Sequence, residues 1–145
     1  MLYSRSLIFN SKLYKNNDTL ILEDCPSLPT GNDFKYKETP WTIEKIYFSR
    51  GHVKIKKTIN RGIRHYNEQE IQKVLREYEK IKPSQSNLDD NSMVLVDKLF
   101  IATISGSEKA RKYFENVPKK FAGLDGFGGE YYENMKDKLL QWDKK

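Results

Sequence analysis

The chain has 145 residues, of which 37% are hydrophobic, 12% aromatic and 32% charged, so it has the size and composition of one ordinary folded domain. These values exclude a disordered chain, and no apolar run approaches the roughly 20 residues that cross a bilayer. The segment Met1–Tyr14 has only three consecutive apolar residues, too few for the core of a signal peptide. We therefore expect a soluble cytoplasmic protein, although a chain whose leader had been removed would give the same sequence.

The net charge of +6 comes from the first part of the chain. Residues 1–66 hold 12 Lys or Arg against six Asp or Glu, whereas residues 67–145 hold 14 of each class. The segment Ser49–Tyr66 contains six cations, both histidines and no carboxylate. Lysine outnumbers arginine 20 to 6, and Asn, Ile, Tyr and Phe are frequent. All these residues have A/T-rich codons, which favours a low-GC bacterial or phage source.

The first part of the chain is predicted to form antiparallel β-hairpins. Ser6–Tyr14 is expected to pair with Thr19–Asp24 across a turn of residues that tolerate tight backbone angles. Residues 25–33 contain two prolines and a glycine and predict a loop. A second hairpin is expected after Pro40, with its turn at Ser49–His52.

The return strand of the second hairpin has a period of two. Its odd positions include Val53, Ile55, Ile59 and Ile63, with Lys57 and Arg61 between them, and its even positions are polar or cationic apart from Gly62. This alternation predicts one face that packs against a core and one solvated, positive face. The candidate partner-binding residues of the basic segment are Arg50, His52, Lys54, Lys56, Arg61 and Arg64.

The second part of the chain is predicted to be mostly helical. Asn67 and Glu70 have the spacing of a capping box, which begins a helix that Pro83 would end. Residues 83–92 are polar and predict a loop. Residues 93–104 fit either a buried strand or a buried helix; their β-branched content favours a strand, and their length and helical spacing favour a helix.

Two more helices are expected near the end of the chain. Ser107 can cap the first of them, and the last one follows a glycine-rich segment at Gly123–Glu130. This segment lacks the Gly-Lys-Ser/Thr ending of a phosphate-binding loop, so it predicts a tight turn between packed helices. The alternative is a surface loop that contacts a partner through Gly126, Phe127 and Gly128.

Strands followed by helices indicate the α+β class. We expect an antiparallel sheet of β-hairpins over about residues 5–66, followed by a mostly helical half that packs on one face of that sheet. The change of composition near residue 67 then marks a change of secondary structure, and residues 1–145 form a single domain.

The sequence contains no recognisable catalytic, metal or nucleotide motif. The only cysteine, Cys25, lies beside Glu23 and Asp24, a setting that opposes a reactive thiolate. His52 and His65 are 13 residues apart and too few for a zinc site, so we expect no metal and no cofactor. An alternative is a metal-independent ribonuclease in which one histidine acts as the base beside nearby cations.

These features favour a non-enzymatic protein that works by binding. The basic hairpin would dock a protein partner with an acidic surface, as in an immunity or inhibitor-type protein that masks a toxin or an enzyme. The alternative is a nucleic-acid-binding protein that uses the same strand, because Trp41, Tyr47, Phe48 and Tyr66 flank it and could supply stacking rings. The sequence leaves the oligomeric state open.

Overall fold

The computed structural model describes residues 11–82, 86–87, 90–122 and 127–144. The chain divides into two compact units, Met1–Arg64 and His65–Lys145. The first unit is built on an antiparallel sheet and the second is mostly helical, which confirms the predicted α+β class. A single domain with the helices on one sheet face stays a prediction. No helix in the described ranges is long and apolar enough to span a membrane.

The first unit contains six described strands. The first, second, fifth and sixth strands lie side by side in that order and form a four-stranded antiparallel sheet. The third and fourth strands form a separate antiparallel pair. A short 3-10 helix at Asn32–Phe34 lies between the two strands of that small pair. The strands are β1 (Ser11–Asn16), β2 (Thr19–Asp24), β3 (Ser27–Leu28), β4 (Lys37–Glu38), β5 (Thr42–Ser49) and β6 (His52–Ile59).

Both predicted hairpins are confirmed within the described residues, and residues 6–10 of the predicted first strand lie outside them. Asn17 lies in the first turn with φ of 55°. The turn between β5 and β6 consists of Arg50 and Gly51, with φ values of 51° and 78°. Two consecutive positive φ values match the twist of a two-residue hairpin, and glycine adopts the second at no steric cost.

The described buried residues of the first unit lie on β2, between Cys25 and Thr42, and at Ile63. Trp41 and Leu28 are each 1% exposed, and Cys25 is fully buried. The side chain of Asn60 donates a 2.9 Å hydrogen bond to the Pro40 carbonyl, and the Asn60 N–H donates to the Trp41 carbonyl at 2.8 Å. These two bonds fix the end of β6 against the start of β5.

The second unit is formed mainly by helices, with one short parallel strand pair, β7 with β8. Most of its described buried side chains lie on four of its helices. Its elements are α1 (Glu68–Glu79), β7 (Ser86–Asn87), α2 (Asp90–Ile104), α3 (Glu108–Glu115), α4 (Val117–Lys120), β8 (Phe121–Ala122) and α5 (Phe127–Asp143).

The helix starts follow the predicted capping residues. The Glu70 N–H donates to Asn67 Oδ1 at 2.9 Å, and the Asn67 N–H donates to Glu70 Oε1 at 3.0 Å, so the capping box is complete. The Ser107 side chain accepts from the Ala110 N–H and caps α3. Residues 93–104 are helical rather than extended, and Gly106, with φ of 102°, lies just beyond the end of α2.

Two predictions about loops need correction. The polar loop expected at 83–92 is too long, because Ser86–Asn87 pairs with β8 and α2 already begins at Asp90; residues 83–85 and 88–89 lie outside the described ones. Phe127 and Gly128 lie in the first turn of α5 rather than in a loop. Packing of the helix through residues such as Tyr132 and Met135, which are buried, outweighs the low helix propensity of glycine at its start.

Candidate functional site

The strand register of the β5–β6 hairpin brings cations from both strands onto one face. Lys45 lies directly opposite Lys56, and Tyr47 lies opposite Lys54. Residues directly opposite each other in an antiparallel pair share a face of the sheet. His52 lies on that face by its alternation with Lys54, so the "basic face" is defined here as Lys45, Tyr47, His52, Lys54 and Lys56.

The lysines of the basic face have no counter-charge in the part of the chain that the structure describes. Among the described residues, no carboxylate lies within ion-pair distance of Lys45, Lys54 or Lys56, and all three side chains are exposed. In contrast, Lys57 pairs with Glu44 at 3.6 Å on the other face of the hairpin. The positive charge of the basic face is therefore directed to solvent.

Toward the turn, the opposite face of the same hairpin is apolar and exposed. Phe48 is 77% exposed, Ile55 63% and Val53 56%. The register places Leu20 and Ile46 on this face as well, because they align with each other and with Ile55 across three strands. We call these five residues the "apolar face".

The exposure of the apolar face corrects the prediction that the odd positions of β6 pack against a core. The alternation itself is confirmed, and Ile63, beyond the strand, is buried. Val53 and Ile55 are exposed together with every other residue of β6 except the last, Ile59. A period of two shows which residues share a face, but it does not show whether another element covers that face.

The structure places the six predicted basic residues in three different settings. His52, Lys54 and Lys56 lie together on the basic face. Arg50 is in the turn at the tip of the hairpin. Arg61 and Arg64 follow the end of β6 in irregular backbone and do not belong to the strand ladder.

Sequence reasoning missed Lys45. It lies on β5, eleven residues before Lys56, and only the strand register shows that the two are neighbours. The predicted partner-binding loop is not supported as a loop at Phe127 and Gly128, which are helical, and Gly126 lies outside the described residues. A contact of these residues with a partner stays a prediction.

The aromatic residues near the basic strand divide between different environments. Trp41 is 1% exposed and Tyr66 4%, so neither ring is available for stacking with a ligand. Phe48 lies on the apolar face, whereas Tyr47 is 37% exposed on the basic face. Tyr14 shares this side of the sheet through the register of β1, β2 and β5, and it is 44% exposed.

A carboxylate lies next to these tyrosines. The Tyr14 hydroxyl donates a 2.6 Å hydrogen bond to Glu23 on the neighbouring strand, and this bond raises the pKa of the Tyr14 phenol. Lys12, also on β1, pairs with Glu38 at 3.2 Å. The positive surface is therefore concentrated on β5 and β6, and becomes mixed in charge toward β1.

The two histidines have different surroundings. His52 is exposed on β6, and the ring of His65 contacts that of Trp142 edge-on with centroids 6.2 Å apart. A depression of about 560 Å³ near the hairpin turn is lined by Lys15, Asp18, Thr19, Tyr47 and Phe48, and so contains neither histidine. Within the described ranges, no three His, Cys, Asp or Glu side chains cluster closely enough to hold a metal ion.

Cys25 has the properties of a buried structural thiol. Its side chain is fully buried, and its Sγ lies 3.9 Å from a carboxylate oxygen of Glu23. Burial raises the pKa of the Cys25 thiol, and the negative charge of Glu23 adds to the effect. The thiol is therefore poorly suited to act as a nucleophile.

Comparison with family models, with curated proteins and with solved structures found no match to this chain. The interpretation of the surface therefore depends on its own residues.

Proposed function

We propose that this chain is a non-enzymatic protein-binding protein and that its basic face docks the acidic surface of a protein partner. The observation that carries the proposal is the convergence of Lys45, Lys54 and Lys56 on one face without a counter-charge among the described residues. Unpaired cations on a rigid sheet attract an acidic partner at long range and raise the association rate.

The apolar face supports a protein rather than a small molecule as the ligand. Protein interfaces combine buried apolar side chains with a polar or charged rim, and Phe48, Val53 and Ile55 lie on the same hairpin as the lysines. Complete burial of one such side chain contributes about 1.5–3 kcal/mol to association. A partner that encloses the hairpin would thus gain affinity from both faces.

An immunity or inhibitor-type protein that masks a toxin or an enzyme is the specific class we propose. Such a protein needs a charged, exposed docking surface and no catalytic group of its own. Fast electrostatic association suits this role, because the target must be captured before it acts.

The experiment compares three versions of the protein as baits in a lysate of the native host treated with nuclease. They are the wild type, the charge-reversed variant Lys45→Glu/Lys54→Glu/Lys56→Glu, and the control variant Lys73→Glu/Lys112→Glu/Lys119→Glu. The control reverses three exposed lysines of the second unit and therefore has the same net charge as the first variant.

We expect at least one acidic protein to bind the wild type and the control but not the basic-face variant, and to rebind the wild type after purification. If every captured protein binds both variants equally, the basic face is not the docking surface and the proposal is wrong.

A nucleic-acid ligand is a second candidate, favoured by Tyr14 and Tyr47 on the same side of the sheet as the lysines. Exposed rings between cations are the features that bind single strands by stacking. Against it, Glu23 lies beside Tyr14 and would repel phosphates. Fluorescence anisotropy of a labelled single-stranded oligonucleotide tests this candidate. Binding that falls steeply with salt and is lost in Tyr47→Ala supports it, whereas no binding at low salt excludes it.

A further inference from the structure

We propose that β6 binds its partner by strand addition, accepting an extended segment in which acidic and apolar residues alternate. This inference rests on the proposed function, because it names the part of the acidic partner that the hairpin recognises. It concerns the backbone edge of β6 in addition to its side chains.

Strand β6 has an open edge. It is the last strand in the order β1-β2-β5-β6, so only β5 pairs with it among the described strands. Seven of its eight residues are exposed. An unpaired strand of this length is a template on which another chain can form a further strand.

The hydrogen-bond register shows which backbone groups point to that edge. The Asn60 N–H donates to the Trp41 carbonyl at 2.8 Å, one residue pair beyond the end of the β5–β6 ladder. Hydrogen-bonded and non-hydrogen-bonded pairs alternate along an antiparallel ladder, and this ladder is continuous. The even residues of β6 therefore bond to β5, and the odd residues Val53, Ile55 and Lys57 direct their N–H and C=O groups outward.

The side chains beside the edge determine the chemistry of an added strand. Residues that pair directly across two strands share a face. A residue opposite Lys54 or Lys56 lies on the basic face, where a carboxylate would be attracted. A residue opposite Val53 or Ile55 lies on the apolar face, where an apolar side chain would bury their exposed surface. The complementary segment therefore alternates acidic and apolar residues.

A second copy of this chain is a poor occupant of the same edge. Two β6 strands that pair antiparallel about a two-fold axis perpendicular to the sheet keep the same faces together. Lys54 and Lys56 of one copy would then lie beside the same lysines of the other, and like charges opposite each other are destabilising. Lysines on an edge strand also prevent pairing between copies of a protein, because their positive charges repel each other. An added strand with acidic residues does not meet this repulsion.

The experiment uses the full chain labelled with ¹⁵N and a short amidated peptide in which glutamate and valine alternate between terminal glycines. The control peptide has the same composition but separates the glutamates and the valines into two blocks. Amide hydrogen exchange is measured by NMR with and without each peptide.

We expect the alternating peptide to slow exchange at Val53, Ile55 and Lys57 by about tenfold or more. Little change is expected at Lys54 and Lys56, because their amides already bond to β5. The block peptide should leave all five unchanged.

Three other outcomes contradict the inference. The first is binding of the alternating peptide without slower exchange at the odd residues, which shows docking on a face and leaves the proposed function intact. The second is that neither peptide binds, which would mean that the lysines of β6 serve only to prevent its edge from pairing with other strands. The third is slower exchange that rises with protein concentration without peptide, which identifies a second copy as the occupant.

The variant Ile55→Pro provides an independent check. Proline at this odd position removes an N–H group that points to the open edge, and it breaks no hydrogen bond to β5. Edge strands tolerate proline where the missing N–H would face away from the sheet. If it remains folded, the alternating peptide should lose at least about tenfold in affinity. The proposed function itself fails only if reversal of the basic-face lysines leaves partner binding unchanged, so the two failures are distinguishable.

Discussion

Lys45 and Lys56 lie directly opposite each other on β5 and β6, and within the described part of the chain neither has an ion-pair partner. Two like charges in directly opposite positions cost the sheet free energy. Local arrangements that reduce stability are expected at sites that serve a function, where binding offsets the cost. The pair is thus easier to explain as part of a docking surface than as a support of the fold.

The repulsion between these lysines predicts that Lys56→Glu stabilises the first unit. The variant converts a like-charge pair into an opposite-charge pair, so the free energy of unfolding should rise by about 0.2–1 kcal/mol. Urea unfolding followed by Trp41 fluorescence measures the change, with Trp142→Phe removing the second tryptophan.

Lys45→Glu combined with Lys56→Glu is the matched control, because it restores a like-charge pair. The double variant should lose most of the gain. Two results together would contradict a direct interaction between the lysines. The first is a lower free energy of unfolding in Lys56→Glu, and the second is a change in the double variant that equals the sum of the changes in Lys45→Glu and Lys56→Glu alone.

The capping box predicts a measurable loss in Asn67→Ala. This change removes the acceptor for the Glu70 N–H at the start of α1, so the free energy of unfolding should fall by about 1 kcal/mol. Urea unfolding followed by far-UV circular dichroism provides the measurement. Asn67→Ser keeps a capping oxygen and should remain close to the wild type. Equal losses in the two variants would show that the cap is not the cause.

Cys25 is predicted to resist thiol reagents in the folded protein. Because burial and Glu23 raise the pKa of its thiol, the neutral form is favoured by folding. The resulting stabilisation is fully present below the pKa of the unfolded thiol and is lost as the pH rises through the folded pKa. Reaction with Ellman's reagent near pH 8 should be at least about tenfold slower in buffer than in urea. Similar rates in both would show that the site is open.

The positions of the arginines predict unequal effects for two variants with the same change in net charge. Lys54→Glu/Lys56→Glu alters the strand ladder, whereas Arg61→Glu/Arg64→Glu alters residues beyond its end. Partner affinity, measured by isothermal titration calorimetry, should fall at least about tenfold more in the lysine variant. A larger loss in the arginine variant would move the docking surface away from β6.

The sequence predicted those features that depend on local patterns. The alternation of Val53 and Ile55 with Lys54 and Lys56 located β6, and the spacing of Asn67 and Glu70 located the start of α1. Both depend on interactions within one hairpin or one helical turn, which neighbouring residues determine.

The sequence did not predict those features that depend on segments far apart in the chain. Lys45 joined the site only through the register between two strands. The exposure of Val53 and Ile55 depends on whether another element covers them, which alternation does not reveal. The helical conformation of Gly128 depends on the packing of α5 farther along the helix, which outweighs the preference of glycine for turns.

The most direct test of the docking surface is the affinity of the purified partner at low and high salt, about 50 and 300 mM. The proteins compared are the wild type, the basic-face variant Lys45→Glu/Lys54→Glu/Lys56→Glu and the control Lys73→Glu/Lys112→Glu/Lys119→Glu. We predict that the wild type and the control bind equally and weaken together with salt, and that the basic-face variant binds at least about tenfold less tightly at low salt with little salt dependence. Equal affinities for the two variants at both salt concentrations would contradict the assignment of the basic face as the docking surface.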